Sequence, residues 1–225
     1  MTAPLAVPDV PRWIEAHGIA ADPASWRRTL GAGVALGSDA ARLIVVVGEA
    51  DPAGVAALSR ELPHHTMLLA IERDDLAEAT GRAVVRALLH TLPAGDRAPW
   101  PELDGAVPLP ADASLAHVPA ALAEELAVAR TQRTIWTAIV DGLPVSFAYA
   151  PWRSPRWFDT SVETLPGARQ LGLARIVAAA MIEDERAQGR EPVWGAGEGN
   201  HASLRLAHGL GFVKTDELWV ASWLP

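Results

Sequence analysis

Two runs of apolar residues, 134–140 and 143–149, meet at the dipeptide Asp141-Gly142. A two-residue link of this kind takes positive φ readily, and its twist matches that of two antiparallel strands. The chain around it is therefore expected to double back as a hairpin. Beyond it, residues 157–164 read as another strand, 169–188 as a long helix, 192–195 as a short strand, 200–208 as a shorter helix and 218–223 as a closing strand. Hairpin, strand, helix, strand, helix and strand in that order predict an α/β (α+β) fold. Its core is expected to be a mixed, mostly antiparallel twisted sheet flanked by helices.

The N-terminal hundred residues predict a smaller α/β lobe. A helical piece near 11–17 is followed by a helix that Asp22 caps, with Pro23 in its first turn and Gly31 to stop it. Residues 42–47 hold five consecutive apolar side chains, the mark of a strand buried on both faces. Asp51-Pro52 starts a helix through Glu61, residues 66–71 form a strand, and Asp74 or Asp75 caps a helix expected to run to about Thr91. Prolines 93, 99, 101, 108 and 110, with Gly95 and Gly105, then mark a boundary. It separates a lobe at 1–98 from a main domain at 105–225, in which a helix at 114–130 precedes the hairpin. No internal repeat is evident in the sequence.

Composition narrows the chemistry. The chain has no cysteine, which removes disulfides, thiolate nucleophiles and Cys-based zinc sites. His64-His65 diverge on a loop without a third ligand, so no metal is expected. Nineteen basic against 27 acidic side chains leave a net charge of −8, the wrong sign for gripping nucleic acid. An acidic surface suits a basic, amine-bearing acceptor, and it suits solubility equally well. The first residues lack a basic, then continuously apolar, leader, and the longest apolar stretches, 43–47 and 176–182, are far short of a membrane span. A cytoplasmic protein with no membrane partner is expected.

One segment carries chemistry: Thr164-Leu-Pro-Gly-Ala-Arg169-Gln-Leu-Gly172-Leu-Ala174. A strand ends, a tight loop follows, and a helix begins. The first turn of a helix offers unpaired N–H groups and the positive end of its dipole. Gly172 and Ala174 leave room for an anion to approach the backbone, and Arg169 adds charge. An ordinary strand–helix junction, in which the glycine only permits tight packing, explains the same residues equally well.

The segment resembles the coenzyme A motif of the GCN5-related N-acetyltransferases, Arg/Gln-x-x-Gly-x-Gly/Ala after a strand, with Arg169, Gly172 and Ala174 in the matching places. Downstream, Asn200-x-x-Ser203-x-x-Leu206-Ala207-x-x-x-Gly211-Phe212 resembles the second signature of that family. Pro192-Val-Trp194 between them is similar to the zwittermicin-resistance subgroup. The resemblance covers roughly residues 105–223. It implies acetyl-CoA as co-substrate and transfer of its acetyl group to an amine by direct attack in a ternary complex. A small-molecule acceptor is the leading expectation. A protein or peptide acceptor, or a non-catalytic acyl-CoA-binding module, are the alternatives. The resemblance further implies that backbone groups of Val162 and Thr164 pair with the pantetheine arm. Amides of Gln170, Leu171, Gly172, Leu173 and Ala174, beside Arg169, would hold the pyrophosphate, and Asn200 and Ser203 would face the cofactor. Asn200 could equally be a plain helix cap.

Many members of that family carry a tyrosine where this chain has Ala207, and His208 beside it would point about 100° away around the helix. Glu163, next to the expected cofactor strand, is the leading candidate for the base, with Asp159 and Glu198 as alternatives. Trp152 and Trp157, with Arg153 and Arg156 between them, are expected to pack a surface loop or to wall the acceptor site. The N-terminal lobe would offer part of an acceptor cleft or a homodimer surface.

Overall fold

The structure, a computed structural model, describes residues 7–93, 100 and 104–223. Gly95, Pro99 and Pro101 of the expected boundary lie outside the described residues. After a 3₁₀ turn at Pro11–Trp13 comes α1 (Ile14–Ala21), then β1 (Trp26–Leu30), β2 (Gly33–Ser38), β3 (Leu43–Val47), α2 (Pro52–Glu61), β4 (Thr66–Ala70), α3 (Asp74–Ala79) and β5 (Ala83–Thr91). The chain continues with β6 (Ala106–Pro108), α4 (Ala120–Gln132), β7 (Trp136–Val140), β8 (Leu143–Tyr149), β9 (Trp157–Asp159) and β10 (Ser161–Thr164). It closes with α5 (Leu173–Arg186), β11 (Glu191–Gly197), α6 (His201–Gly209) and β12 (Val213–Ser222). The expected hairpin is present as β7 and β8, with φ of 51° at Asp141 and 79° at Gly142.

The strands form an eight-stranded sheet, ordered β1-β2-β3-β4-β12-β5-β11-β9, and a four-stranded sheet, ordered β10-β8-β7-β6. This is the mixed, mostly antiparallel sheet flanked by helices that the sequence predicts. Among the described residues only β3–β4 and β9–β11 are parallel pairs. The uninterrupted apolar run of β3 is explained by burial on both faces. Ile44 and Val46 pack toward α2 and α3, and Val45 and Val47 pack toward α1. In the smaller sheet Phe147 and Tyr149 face α4, and Ala148 faces α5. Helix α5 buries Val177, Ala178, Met181 and Ile182 against Phe158 and Trp194, burial worth about 1.5–3 kcal/mol for each large side chain.

The helices expected from 114 and 169 start only at Ala120 and Leu173, and in the N-terminal half two expectations give way. Residues 22–31 are not a helix. Asp22 Oδ1 accepts the Ala24 amide at 2.9 Å, but this closes a turn, and Trp26–Leu30 pairs instead with Gly33–Ser38. Tertiary packing decides the matter: the Trp26 indole lies over Gly37, where an added Cβ would come within 2.0 Å of the ring. The helix expected to reach Thr91 stops at Ala79. Gly81, at φ 65°, turns the chain, and the β-branched pair Val84-Val85 enters β5 at the centre of the sheet.

The structure also contains a repeat that the sequence hides. Elements β1-β2-β3-α2-β4-α3-β5 recur in order as β7-β8-(β9, β10)-α5-β11-α6-β12, each set preceded by a helix. The last strand of each set completes the other: β12 lies between β4 and β5, and β5 lies between β12 and β11. The two halves are joined along β5–β12, where Val213–Ser222 pairs with Ala83–Thr91. A fragment of residues 105–225 would leave β12 without either neighbour. It should therefore show no cooperative thermal transition by circular dichroism, whereas the full chain should unfold in one. A fragment melting as sharply as the whole chain would contradict this account of the sheet.

Candidate functional site

The strand running from 157 to 164 changes partner part-way. Trp157–Asp159 pair in parallel with Glu191–Val193 of β11, and the Thr160 amide makes the last bond of that ladder, 3.0 Å to the Val193 carbonyl. From Ser161 onward the strand pairs with β8 in the other sheet, while β11 continues to Gly197 paired only with β5. The two strands part at Thr160. Because backbone groups alternate along a strand, those of Glu163 and Leu165 point to β8, the latter through a 2.9 Å bond to the Val145 carbonyl. Those of Val162 and Thr164 therefore point into the gap. The Thr164 carbonyl is taken by Arg169 Nε at 3.2 Å, which leaves its amide and both groups of Val162.

The gap leads to the start of α5. The loop is a 3₁₀ turn at Pro166–Ala168, then Gln170 at φ 65° and Gly172 at φ 78°. Gly172 is the N-cap and no side chain caps the helix. An added Cβ at Gly172 would meet nothing within 4 Å. Residues 169–172 are exposed, and Leu173 and Ala174 form the first helical turn behind them. The open space in front of a 14-residue helix fits an anion held by main-chain N–H groups. The corresponding place in the other half is closed. There the Asp51 carboxylate accepts the Gly54 amide of α2 at 2.7 Å and supplies the negative charge itself.

The face of β9 and β10 away from α5 carries Asp159, Ser161 and Glu163, beside Tyr149 and Phe147 of β8. The Tyr149 hydroxyl donates to Glu125 of α4 at 2.7 Å. Lost hydration, and then the charge of Glu125, hold Glu163 above the usual glutamate range, although its side chain is exposed. At the fork, burial pushes Asp159 up to about 6. Burial and the charge of Asp159 push Glu15 of α1 up to about 8. Glu15 was not singled out from the sequence, because only the fold brings α1 to β9. Glu198 is exposed at the far end of β11.

Other expected residues are held by the protein itself. Asn200 Oδ1 caps α6 by accepting the Ser203 amide at 3.2 Å, and Ser203 Oγ accepts from Trp194 Nε1 at 2.9 Å. Trp194 in turn meets Phe212 edge to face, 5.4 Å between centroids. Trp152 packs against Gly18 of α1. Arg153 donates to Glu185 at 2.8 Å, and the Trp157 indole donates to the Asp9 carbonyl at 3.2 Å. The Trp/Arg loop is thus packing rather than a free aromatic wall. Ala207 is fully buried, and His208 turns to His90, 5.2 Å between rings. Among the described residues no group of three or more His, Cys, Asp or Glu could hold a metal, and no helix is long and apolar enough to cross a membrane.

Residues 136–220 match the model of the GNAT acetyltransferase family. The matched stretch includes the parted strands, so this part of the chain is similar to the GNAT acetyltransferases. Solved structures with the same fold include a GCN5-related N-acetyltransferase from Kribbella flavida, 16% identical, with a TM-score of 0.65 over 94% of this chain and 93% of that one. A GCN5-related N-acetyltransferase-like protein from Streptococcus suis is 16% identical with a TM-score of 0.58, covering 95% of this chain and 98% of its own. A tandem GNAT protein from the clavulanic acid biosynthesis pathway, 16% identical, reaches 0.54 over 95% and 94%. No curated protein sequence matches the chain. The GNAT family implies acyl transfer, and nothing in these comparisons distinguishes the zwittermicin-resistance subgroup.

The open seat at Gly172 and the closed one at Asp51 predict one acetyl-CoA per chain. Gly172→Glu puts a carboxylate where the phosphates would lie and strains a positive-φ position. Titration calorimetry should give a stoichiometry of one for the natural chain. It should also show affinity at least about 100-fold weaker in the variant, the loss of about 3 kcal/mol of charge-assisted hydrogen bonding. Unchanged affinity, or two sites, would refute this site.

Proposed function

We propose that the protein moves an acetyl group from acetyl-CoA to an amine of a small molecule, by direct attack in a ternary complex. The observation that carries this reading is the pairing of an uncapped helix start with a strand edge free in the adjoining gap. In the reading, main-chain N–H groups from Gln170 to Ala174 hold the diphosphate, and Val162 and Thr164 pair with the pantetheine arm like an added strand. At about 3.3 Å per residue, Thr164 to Thr160 spans about 13 Å, which sets the thioester end near the fork. In the reading, the Val162 N–H and the Thr160 hydroxyl, which is buried and unpartnered, would donate to the carbonyl oxygen as it gains charge. The co-substrate supplies an activated acetyl group. This chain positions it and presents an acidic face, Asp159, Glu163 and Glu125, that draws in a cationic amine.

Exposed Glu163 stands beside the middle of the arm and is one of two carboxylates on the face able to take the ammonium proton. With the family's tyrosine position filled by buried Ala207, the leaving thiolate takes its proton from water. The acidic face suits a cationic amine as acceptor and repels the phosphates of a nucleic acid. The cytoplasm, where acetyl-CoA is made and used, is the compartment this reading assigns.

The test is turnover on n-hexylamine, spermidine and tyramine, beside a lysine-containing peptide, followed by thiol release and product mass. Acetylated small amines are expected. Glu163→Gln should raise KM for spermidine several-fold with kcat within about threefold. Tight acetyl-CoA binding without thioester loss on any amine would overturn the enzymatic reading, and turnover confined to the peptide would overturn the small-molecule one.

A further inference from the structure

At the fork, a carboxylate from each half of the chain meets the other. Asp159 ends β9 one residue before the last ladder bond, on the face that the acceptor would approach. Glu15 comes from α1, which packs on β9 from the N-terminal half, and its Oε2 is buried with no hydrogen-bond partner. Among the described residues no cation is paired with either. Arg12, in the turn before α1, is held by Glu72 and Asp216, and Arg153 is held by Glu185. Arg156 lies over Trp157, and His17 meets the Pro8 carbonyl. On the strands alongside, Glu191 is paired with Arg186, and Glu163 lies about 13 Å along the strand from Asp159. Asp9, in the opening segment, accepts from Ser154. An ion pair would have been the usual way to place two half-buried carboxylates. Here each is left facing the other, beside the point where the thioester end would stop.

We propose that Asp159 is the base that takes the proton from the acceptor ammonium, and that Glu15 is the positioning residue that keeps it in place. This rests on the acyl-transfer reading and adds to it a role for the N-terminal half. In the step, R–NH₃⁺ gives one proton to the Asp159 carboxylate. The freed lone pair forms the C–N bond to the acetyl carbon, the C–S bond breaks, and its electron pair stays on sulfur. The remaining excess proton on nitrogen passes to the thiolate through water, and Asp159 returns its own proton to solvent. Burial raises both groups and the charge of Asp159 raises Glu15 further, so the pair titrates as one unit above the ordinary carboxylate range, with Glu15 the more strongly raised. A carboxylate raised in this way lies closer to the range suited to a base.

The experiment is kcat against pH from 5 to 9.5 with saturating acetyl-CoA and spermidine, for the natural chain and for Asp159→Asn, Glu15→Ala, Glu15→Gln and Glu163→Gln. The natural chain should lose activity below about pH 6. Asp159→Asn should lower kcat about 100-fold or more and abolish that limb, with acetyl-CoA affinity by calorimetry unchanged. Glu15→Ala lets water reach Asp159, so the limb should move down toward the ordinary aspartate range, and Glu15→Gln should restore it. Thermal melts give a second readout that needs no turnover. Both groups have folded values above their unfolded ones, so the folded state is favoured fully below about pH 4 and loses stability as pH rises toward 8. Asp159→Asn and Glu15→Gln should therefore melt above the natural chain at pH 8.5 and level with it at pH 4. A limb that survives Asp159→Asn, or disappears in Glu163→Gln instead, overturns the assignment while leaving the enzyme reading intact. Absence of any turnover by the natural chain sinks the reading on which it rests.

Discussion

A single hydrogen bond, from the Thr160 amide to the Val193 carbonyl, marks where one strand stops belonging to the large sheet and joins the small one. Every feature of the candidate site depends on that change of partner. An unpaired strand edge in a protein interior normally costs free energy, because each orphaned N–H or C=O costs about as much as a lost hydrogen bond. Here the edge survives because both arms are anchored from behind. Phe158 and Val162 are packed under α5, and Trp194 on the opposite arm is clamped between Ser203 and Phe212. Glu185, 1% exposed on α5, is gripped by Arg133, Arg153 and Arg190 from three directions, which fixes the loop feeding β9. Packing on each side holds the two strands apart.

The two halves use one plan and diverge at one residue type. Each carries a strand, a loop, a helix and a parallel return strand, and such a unit presents a helix start to the end of its sheet. At α2 that helix start receives an aspartate side chain, which satisfies the Gly54 amide and the dipole together. At α5 it receives a glycine with positive φ and nothing in front of it. Local hydrogen bonding thus makes one half a scaffold and leaves the other with an unmet demand for an anion. Because β5 and β12 are exchanged between the halves, the scaffold cannot be discarded. It supplies two of the strands that hold β11 and β12 in place.

What the sequence revealed, and what it hid, follows the range of the interactions. The hairpin at Asp141-Gly142 and the strand through Glu163 are set by neighbours a few residues away and lie where the residues place them, while the helix expected from Arg169 starts only at Leu173, after a loop in which Gln170 and Gly172 take positive φ. The failures are non-local. Trp26–Leu30 has a passable helix start in Asp22-Pro23, yet it is a strand because Gly37 admits the Trp26 ring. Val84–Thr91 follows a well-formed helix, yet it is recruited to the centre of the sheet by β11 and β12. The same limit hid Glu15. Nothing between residues 14 and 21 signals chemistry, and its meaning appears only when α1 is laid against β9, more than 130 positions later.

Burying that carboxylate is a poor choice for stability alone. A glutamine at position 15 would keep the volume and remove the repulsion. Helix α1 instead turns one acidic group toward a second across a junction between halves, where burial raises both and the charge of Asp159 raises Glu15 further. Such an arrangement weakens the fold over the pH range in which it would be most useful to catalysis. Strain of this kind concentrates at functional sites because the surrounding structure can tolerate it there. The N-terminal half, whose own anion seat is closed by Asp51, would then matter to the chemistry through one side chain, with the exchanged strands ensuring that the side chain stays in register with the fork.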